Sequence, residues 1–60
     1  MLLITLRDGS EYSWEQYEYD NWAWEEPIKG YYCVVVRKGL AVVGIIAASE
    51  FVVLRVEEDE

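Results

Sequence analysis

Histidine is absent from this 60-residue chain, and cysteine, proline, methionine and phenylalanine occur once each. Each scarcity closes a route. A single cysteine, Cys33, allows no internal disulfide. Without histidine or a second cysteine the usual zinc ligand sets cannot be assembled. Nucleophilic catalysis is left without its common base, since Ser10, Ser13 and Ser49 have no imidazole to activate them. A thiol in the apolar run around Cys33 is expected to be buried and unreactive. No glycine-rich phosphate loop is present, and no Asp/Asn-rich loop has EF-hand spacing. The chain is therefore expected to need no metal and no cofactor. No run approaches the roughly 20 apolar residues of a membrane span. Met1 to Thr5 is apolar but too short for a signal peptide. These features predict a cytoplasmic protein with a reduced thiol.

Basic residues are also scarce: 5 Lys and Arg stand against 12 Asp and Glu, a net charge of −7. Such a chain repels nucleic-acid phosphates and anionic membranes, so neither is an expected partner. A protein with a basic surface fits better. Solubility alone is the plainer account of the same charge.

Sixty residues make one small domain, here expected over 1–56, with 57–60 as a frayed acidic tail. A chain this short is marginally stable without disulfides, metal or oligomerisation. The first two are excluded above, and a homo-oligomer is expected.

Period-2 alternation places Leu2, Ile4 and Leu6 on one face of a strand, followed by an Asp8-Gly9 turn. The register is decidable. A two-residue turn would set Leu6 beside Glu11 and Ile4 beside Ser13. A three-residue loop, Arg7-Asp8-Gly9 with Gly9 left-handed, sets Ile4 beside Tyr12 and Leu2 beside Trp14. Cross-strand neighbours share a face, so the second register gathers one apolar set. It predicts a type I turn with a glycine bulge.

From Glu11 to Glu26 the chain holds six acids, six aromatics and no base. The second strand is predicted to run to about Tyr19, followed by a loop to Gly30. A short helix is the rival, because Ser13-Trp14-Glu15-Gln16 matches a capping box. Tyr31 to Arg37 and Leu40 to Ile46 form a hairpin around Lys38-Gly39. Ala47 to Glu50 is read as one helical turn, and Phe51 to Val56 as the last strand. The expected fold class is all-β: a five-stranded, strongly bent antiparallel sheet or small barrel, with one helical turn before the last strand.

Both faces of the 31–46 hairpin are apolar, which a half-exposed sheet would not show. The second face must be covered by the Trp-rich segment or by another copy of the chain. The interface between copies is assigned to Tyr32, Val34, Val36, Ala41, Val43 and Ile45.

The strand order resembles that of small Src-homology-type and Sm-like barrels. Leu6-Arg7-Asp8-Gly9-Ser10-Glu11-Tyr12 is similar to the first Sm signature: Leu, a spacer, Asp-Gly, then an aromatic three residues on. The resemblance implies a small barrel. It departs where Sm-like proteins carry a glycine near Trp14, and Ile28-Lys29-Gly30 sits mid-chain rather than before the last strand. The RNA-binding loops of that family therefore do not carry over. The compact, acidic, aromatic-rich composition also resembles small phage-encoded proteins, some of which inhibit host proteins. That resemblance implies action in the host cytoplasm.

Paired carboxylates, Glu25-Glu26 and Glu15-Glu18, could do acid–base work only in a dry pocket that so short a chain has little room to build. No catalytic residue is assigned. The aromatic–acidic segment is the leading functional candidate, because Trp and Tyr carry interface hot spots and acids steer a basic partner. The partner-binding set is Trp22, Trp24, Glu25, Glu26, Tyr17 and Tyr19. Tyr12 and Trp14 are expected in the core, and Trp22 and Trp24 are equally suited to core or interface. A Trp pair could also stack on a base, though only Lys29 is near to meet a phosphate. The expected function is non-enzymatic: occlusion of a partner protein by an acidic aromatic surface. Two alternatives are an oligomer that sequesters a nucleotide-type ligand between subunits, and a structural or assembly component.

Overall fold

The computed structural model describes residues 1–58. Six strands and one short 3-10 turn follow in order: β1 Leu2–Leu6, β2 Glu11–Trp14, the 3-10 turn Gln16–Glu18, β3 Asn21–Ile28, β4 Tyr31–Lys38, β5 Ala41–Ala47 and β6 Phe51–Val56. They form two three-stranded antiparallel sheets, β2-β1-β6 and β3-β4-β5. The all-β expectation holds. The single bent sheet or closed barrel of five strands does not, because the segment expected as a loop supplies a sixth strand and the two sheets do not join.

The first hairpin adopts the register argued from apolar pairing: Leu2 faces Trp14 and Ile4 faces Tyr12. Gly9 takes a φ of 90°, which a side chain would strain. Its N–H donates to the Leu6 carbonyl, and the Leu6 N–H to the Ser10 carbonyl. The Asp8 carboxylate accepts from both the Ser10 N–H and its hydroxyl, at 2.9 and 2.6 Å. These bonds hold its pKa below the ordinary carboxylate range.

β2 ends at Trp14, not near Tyr19. The Glu15 N–H donates to the Glu18 carboxylate and the Glu18 N–H to the Glu15 carbonyl, closing a 3-10 turn two residues beyond the expected capping box. The turn brings Asp20 to the end of β4, where its N–H donates to the Arg37 carbonyl and its carboxylate accepts from the Gly39 N–H. The chain then re-enters extended geometry as β3. Trp22 and Trp24 alternate with Ala23, the period of a strand, and Trp22 pairs with Val36 and Trp24 with Val34. Ala47–Glu50 is a turn and not a helix: Glu50 N–H donates to Ala47 and Phe51 N–H to Ala48. Of the acidic tail, Glu57 is tied to Met1 by its N–H, and residues 59–60 lie outside the described residues.

The inner faces of the two sheets meet. Leu2, Ile4 and Trp14 from the first pack on Val34, Val36 and Ile46 from the second. Leu2, Ile4, Val34 and Val36 are fully buried; burying such a side chain contributes about 1.5–3 kcal/mol each. Leu6, Tyr19, Phe51 and Leu54 extend this cluster.

The two open sides of the sandwich are each closed by a tryptophan. On the β2/β5 side, the Trp14 indole lies over Gly44, and its Nε1 donates to the Val43 carbonyl at 3.3 Å. Only glycine fits there, since a Cβ at 44 would stand 2.4 Å from Trp14 Cζ2. On the β3/β6 side, Trp24 meets Phe51 edge-to-face, with centroids 5.1 Å apart.

Candidate functional site

The outward faces of the two sheets differ in kind. On the first, Thr5 and Arg55 both reach the Glu11 carboxylate, at 3.3 and 2.9 Å, and Arg55 also pairs with Glu57. This is a solvated, charge-paired surface. On the second, cross-strand registers line up Ala23, Val35 and Ile45 in one row and Glu25, Cys33 and Ala47 in the next, with Ile28 beside Tyr31 at the end. Apart from Asn21 and the Glu25–Arg37 pair, that surface is apolar. Nothing among the described residues lies across it.

The face is not flat. Tyr31, 71% exposed, and Ile45, 65% exposed, stand over a floor that includes Cys33, which is 5% exposed. With Pro27, Ala47 and Ser49 they line an open depression of about 410 Å³. Its walls are predominantly apolar, as in sites that take an apolar side chain. Arg37 makes a two-pronged pair with Glu25 beside the rows, the Nη2–Oε1 contact measuring 3.1 Å. The register slips beside this pair, where Val43 of β5 is the extra residue between Gly44, opposite Val36, and Val42, opposite Arg37.

The predicted partner-binding residues do not form one site. Trp22 and Trp24 lie on the inner side of β3 at the sandwich rim; Trp24 is 49% exposed and is held by Phe51. Glu25 points to the opposite face and is occupied by Arg37. Glu26 accepts from the Gly30 N–H at 3.0 Å and so fastens the β3–β4 turn. Tyr17 is exposed on the 3-10 turn, and Tyr19 is half-buried against the core.

The predicted oligomer interface is also divided. Val34 and Val36 are fully buried by this chain's own first sheet, so they present no surface to another copy. Ile45 belongs to the opposite face, because Val34 pairs with Ile46 and not with Ile45. Val43 sits at the sandwich rim beside Tyr12 and Trp14. Tyr32 and Ala41 are exposed near the two ends of the hairpin. Reasoning from the hairpin alone could not tell which face would be buried. The signal was available in Gly44: the inner face needed a gap for Trp14, which fixes Ile46 inward and Ile45 outward.

Among the described residues, no group of three or more His, Cys, Asp or Glu is placed to hold a metal ion, and no helix is long and apolar enough to cross a membrane. No protein-family model matches the chain, and neither a curated protein nor a solved structure matches it.

Proposed function

We propose that this chain is a non-enzymatic binding module whose protein partner lies across the outer face of β3-β4-β5. The observation that carries the reading is the contrast between the two outward faces, one charge-paired and one apolar with a depression between Tyr31 and Ile45. A contiguous apolar surface with a polar rim is what an interaction site requires. The net charge of −7 favours a partner with basic groups around its apolar anchor, through faster and better-oriented encounter. The tryptophan rim is the second surface of interest, since Trp22 and Trp24 stay partly exposed on the inner side of β3.

Panning a ribosome-displayed random peptide library on the full chain tests this. Enriched peptides are expected to carry an apolar anchor flanked by Lys or Arg. Tyr31→Ser is expected to weaken them at least tenfold, and Val53→Ser, on the outer face of the first sheet, to leave them unchanged. No enrichment, or peptides insensitive to Tyr31→Ser but lost in Trp22→Ala, overturns the reading.

A further inference from the structure

Two open sheets leave four edges, and three of them are blunted. β2 is only four residues long and begins with Glu11. β3 carries Glu25, Glu26 and Pro27, and β6 carries Arg55. Short length, charge and proline are the devices that stop edges from pairing. β5 is the least protected: Ala41–Ala47 is seven residues, without charge or proline, and its one interruption is the bulge at Val43, which leaves the regular ladder from Gly44 to Ala47 intact. The surrounding stretch Leu40–Ser49 is also free of charged residues.

The backbone of β5 shows where pairing would occur. The Ala48 N–H donates to the Tyr32 carbonyl. In an antiparallel ladder bonded pairs alternate with unbonded ones, so Ile46 and Gly44 bond β4 and Ile45 turns its N–H and C=O to the open edge. Its neighbours are engaged within the chain: the Val43 carbonyl accepts from Trp14 and the Ala47 carbonyl from Glu50.

We propose that β5 pairs antiparallel with β5 of a second copy about a two-fold axis beside Ile45, joining two three-stranded sheets into one of six strands. A second copy is the occupant that the edge selects, because an uncharged strand with one free N–H and one free C=O on the same residue matches its own two-fold copy. Copies of net charge −7 repel one another, and at this edge they meet over an uncharged stretch. Ile45 is self-complementary across a two-fold axis, its N–H and C=O exchanging with the same groups of its twin. The outer row Ala23–Val35–Ile45 then runs on into its symmetry mate, so the apolar face becomes continuous across the dimer. The inference deepens the proposed binding face but rests on the edge, and each can fail alone.

Light scattering of the full chain across a dilution series reads the mass. The expected result is twice 7.0 kDa at high concentration, with the Ile45 amide exchanging more slowly there than in dilute solution. Ile45→Pro removes the outward N–H and no β4–β5 bond. It is expected to raise the dimer dissociation constant at least tenfold. Ile45→Lys sets two like charges at the axis and is expected to do the same, with circular dichroism confirming that each variant is folded. Ala23→Lys alters the binding face away from β5 and is expected to leave the dimer intact. A folded monomer at every concentration overturns the proposal, as does a dimer that survives both Ile45 variants or is broken by Ala23→Lys. The peptide-binding result for Tyr31→Ser is read on whichever species exists, so failure of the dimer and failure of the binding face are distinguishable.

Discussion

Gly44→Ala puts the fit between the two sheets to a direct test. A glycine-to-alanine change at a compatible backbone ordinarily stabilises a protein by about 0.4–1 kcal/mol, by restricting the unfolded chain. Gly44 is the one glycine without a positive φ, so its backbone accepts alanine. The obstacle is the space above it. The new Cβ would lie 2.4 Å from Trp14 Cζ2 and 3.1 Å from Cη2, well inside the roughly 3.5–4.0 Å of carbon contact. The indole cannot simply retreat. Its Nε1 is bonded to Val43, and its ring packs in the core cluster. Overpacking of this kind costs about 1–3 kcal/mol, so with mid-range values the net loss after the entropic gain is about 1.3 kcal/mol. For a domain of this size each kcal/mol lowers Tm by about 4–8 °C. Urea unfolding followed by tryptophan fluorescence, at one fixed protein concentration, measures the difference. Repeating the substitution in a Trp14→Phe background removes the indole atoms in question, and the alanine should then be neutral or stabilising. Equal cost in both backgrounds, or a Gly44→Ala chain as stable as its parent, would refute the argument.

Trp24→Ala and Phe51→Ala should be coupled by about 0.5–1.5 kcal/mol in a double-mutant cycle of urea midpoints, the usual worth of an edge-to-face pair. Asp8 titrates below the ordinary range in the folded state, because Ser10 bonds its ionised form. Its contribution to stability is therefore present above the unfolded pKa of about 3.9 and is lost as pH falls through the lower folded value. Ser10→Ala should move the Asp8 titration upward in an NMR pH series, and an unmoved curve would contradict the assignment. Glu25→Gln should cost less than about 1 kcal/mol and lose most of its effect in molar salt, because the pair with Arg37 is partly exposed.

The parts of the fold that sequence made legible are those in which local chemistry and pairing point the same way. Asp8-Gly9 sets the turn, and matching Leu2 and Ile4 to Trp14 and Tyr12 selects its register without ambiguity. The β4–β5 hairpin and β6 follow from runs of β-branched residues between glycine turns. β3 was obscured by its composition. Acids and Pro27 read as loop, whereas Trp22-Ala23-Trp24 carries the period of a strand, and its partner is β4, downstream of the turn at Gly30. The 3-10 turn interrupts what the aromatic residues present as strand to Tyr19, and it lies two residues beyond the Ser13–Gln16 capping pattern because Glu15 and Glu18 make the exchange. The candidate site was least legible. Which hairpin face is buried depends on a contact 30 residues away in sequence, between Trp14 and Gly44. The acids Glu25 and Glu26, read as steering charges, are spent on Arg37 and on the Gly30 amide.

The lone thiol beneath Tyr31 and Ile45 has a practical consequence. Cys33 sits mid-strand in β4 between two bonded neighbours and is almost inaccessible. A thiol reagent can reach it when Tyr31 and Ile45 part above it, when β3 or β5 swings away, or when the whole chain unfolds. Because no other residue reacts, the labelling rate divided by that of a free thiol gives the equilibrium constant for that opening at a single known depth. Denaturant dependence then sorts the event: a shallow slope marks the parting of one strand, and a slope equal to that of global unfolding means the six strands come apart together.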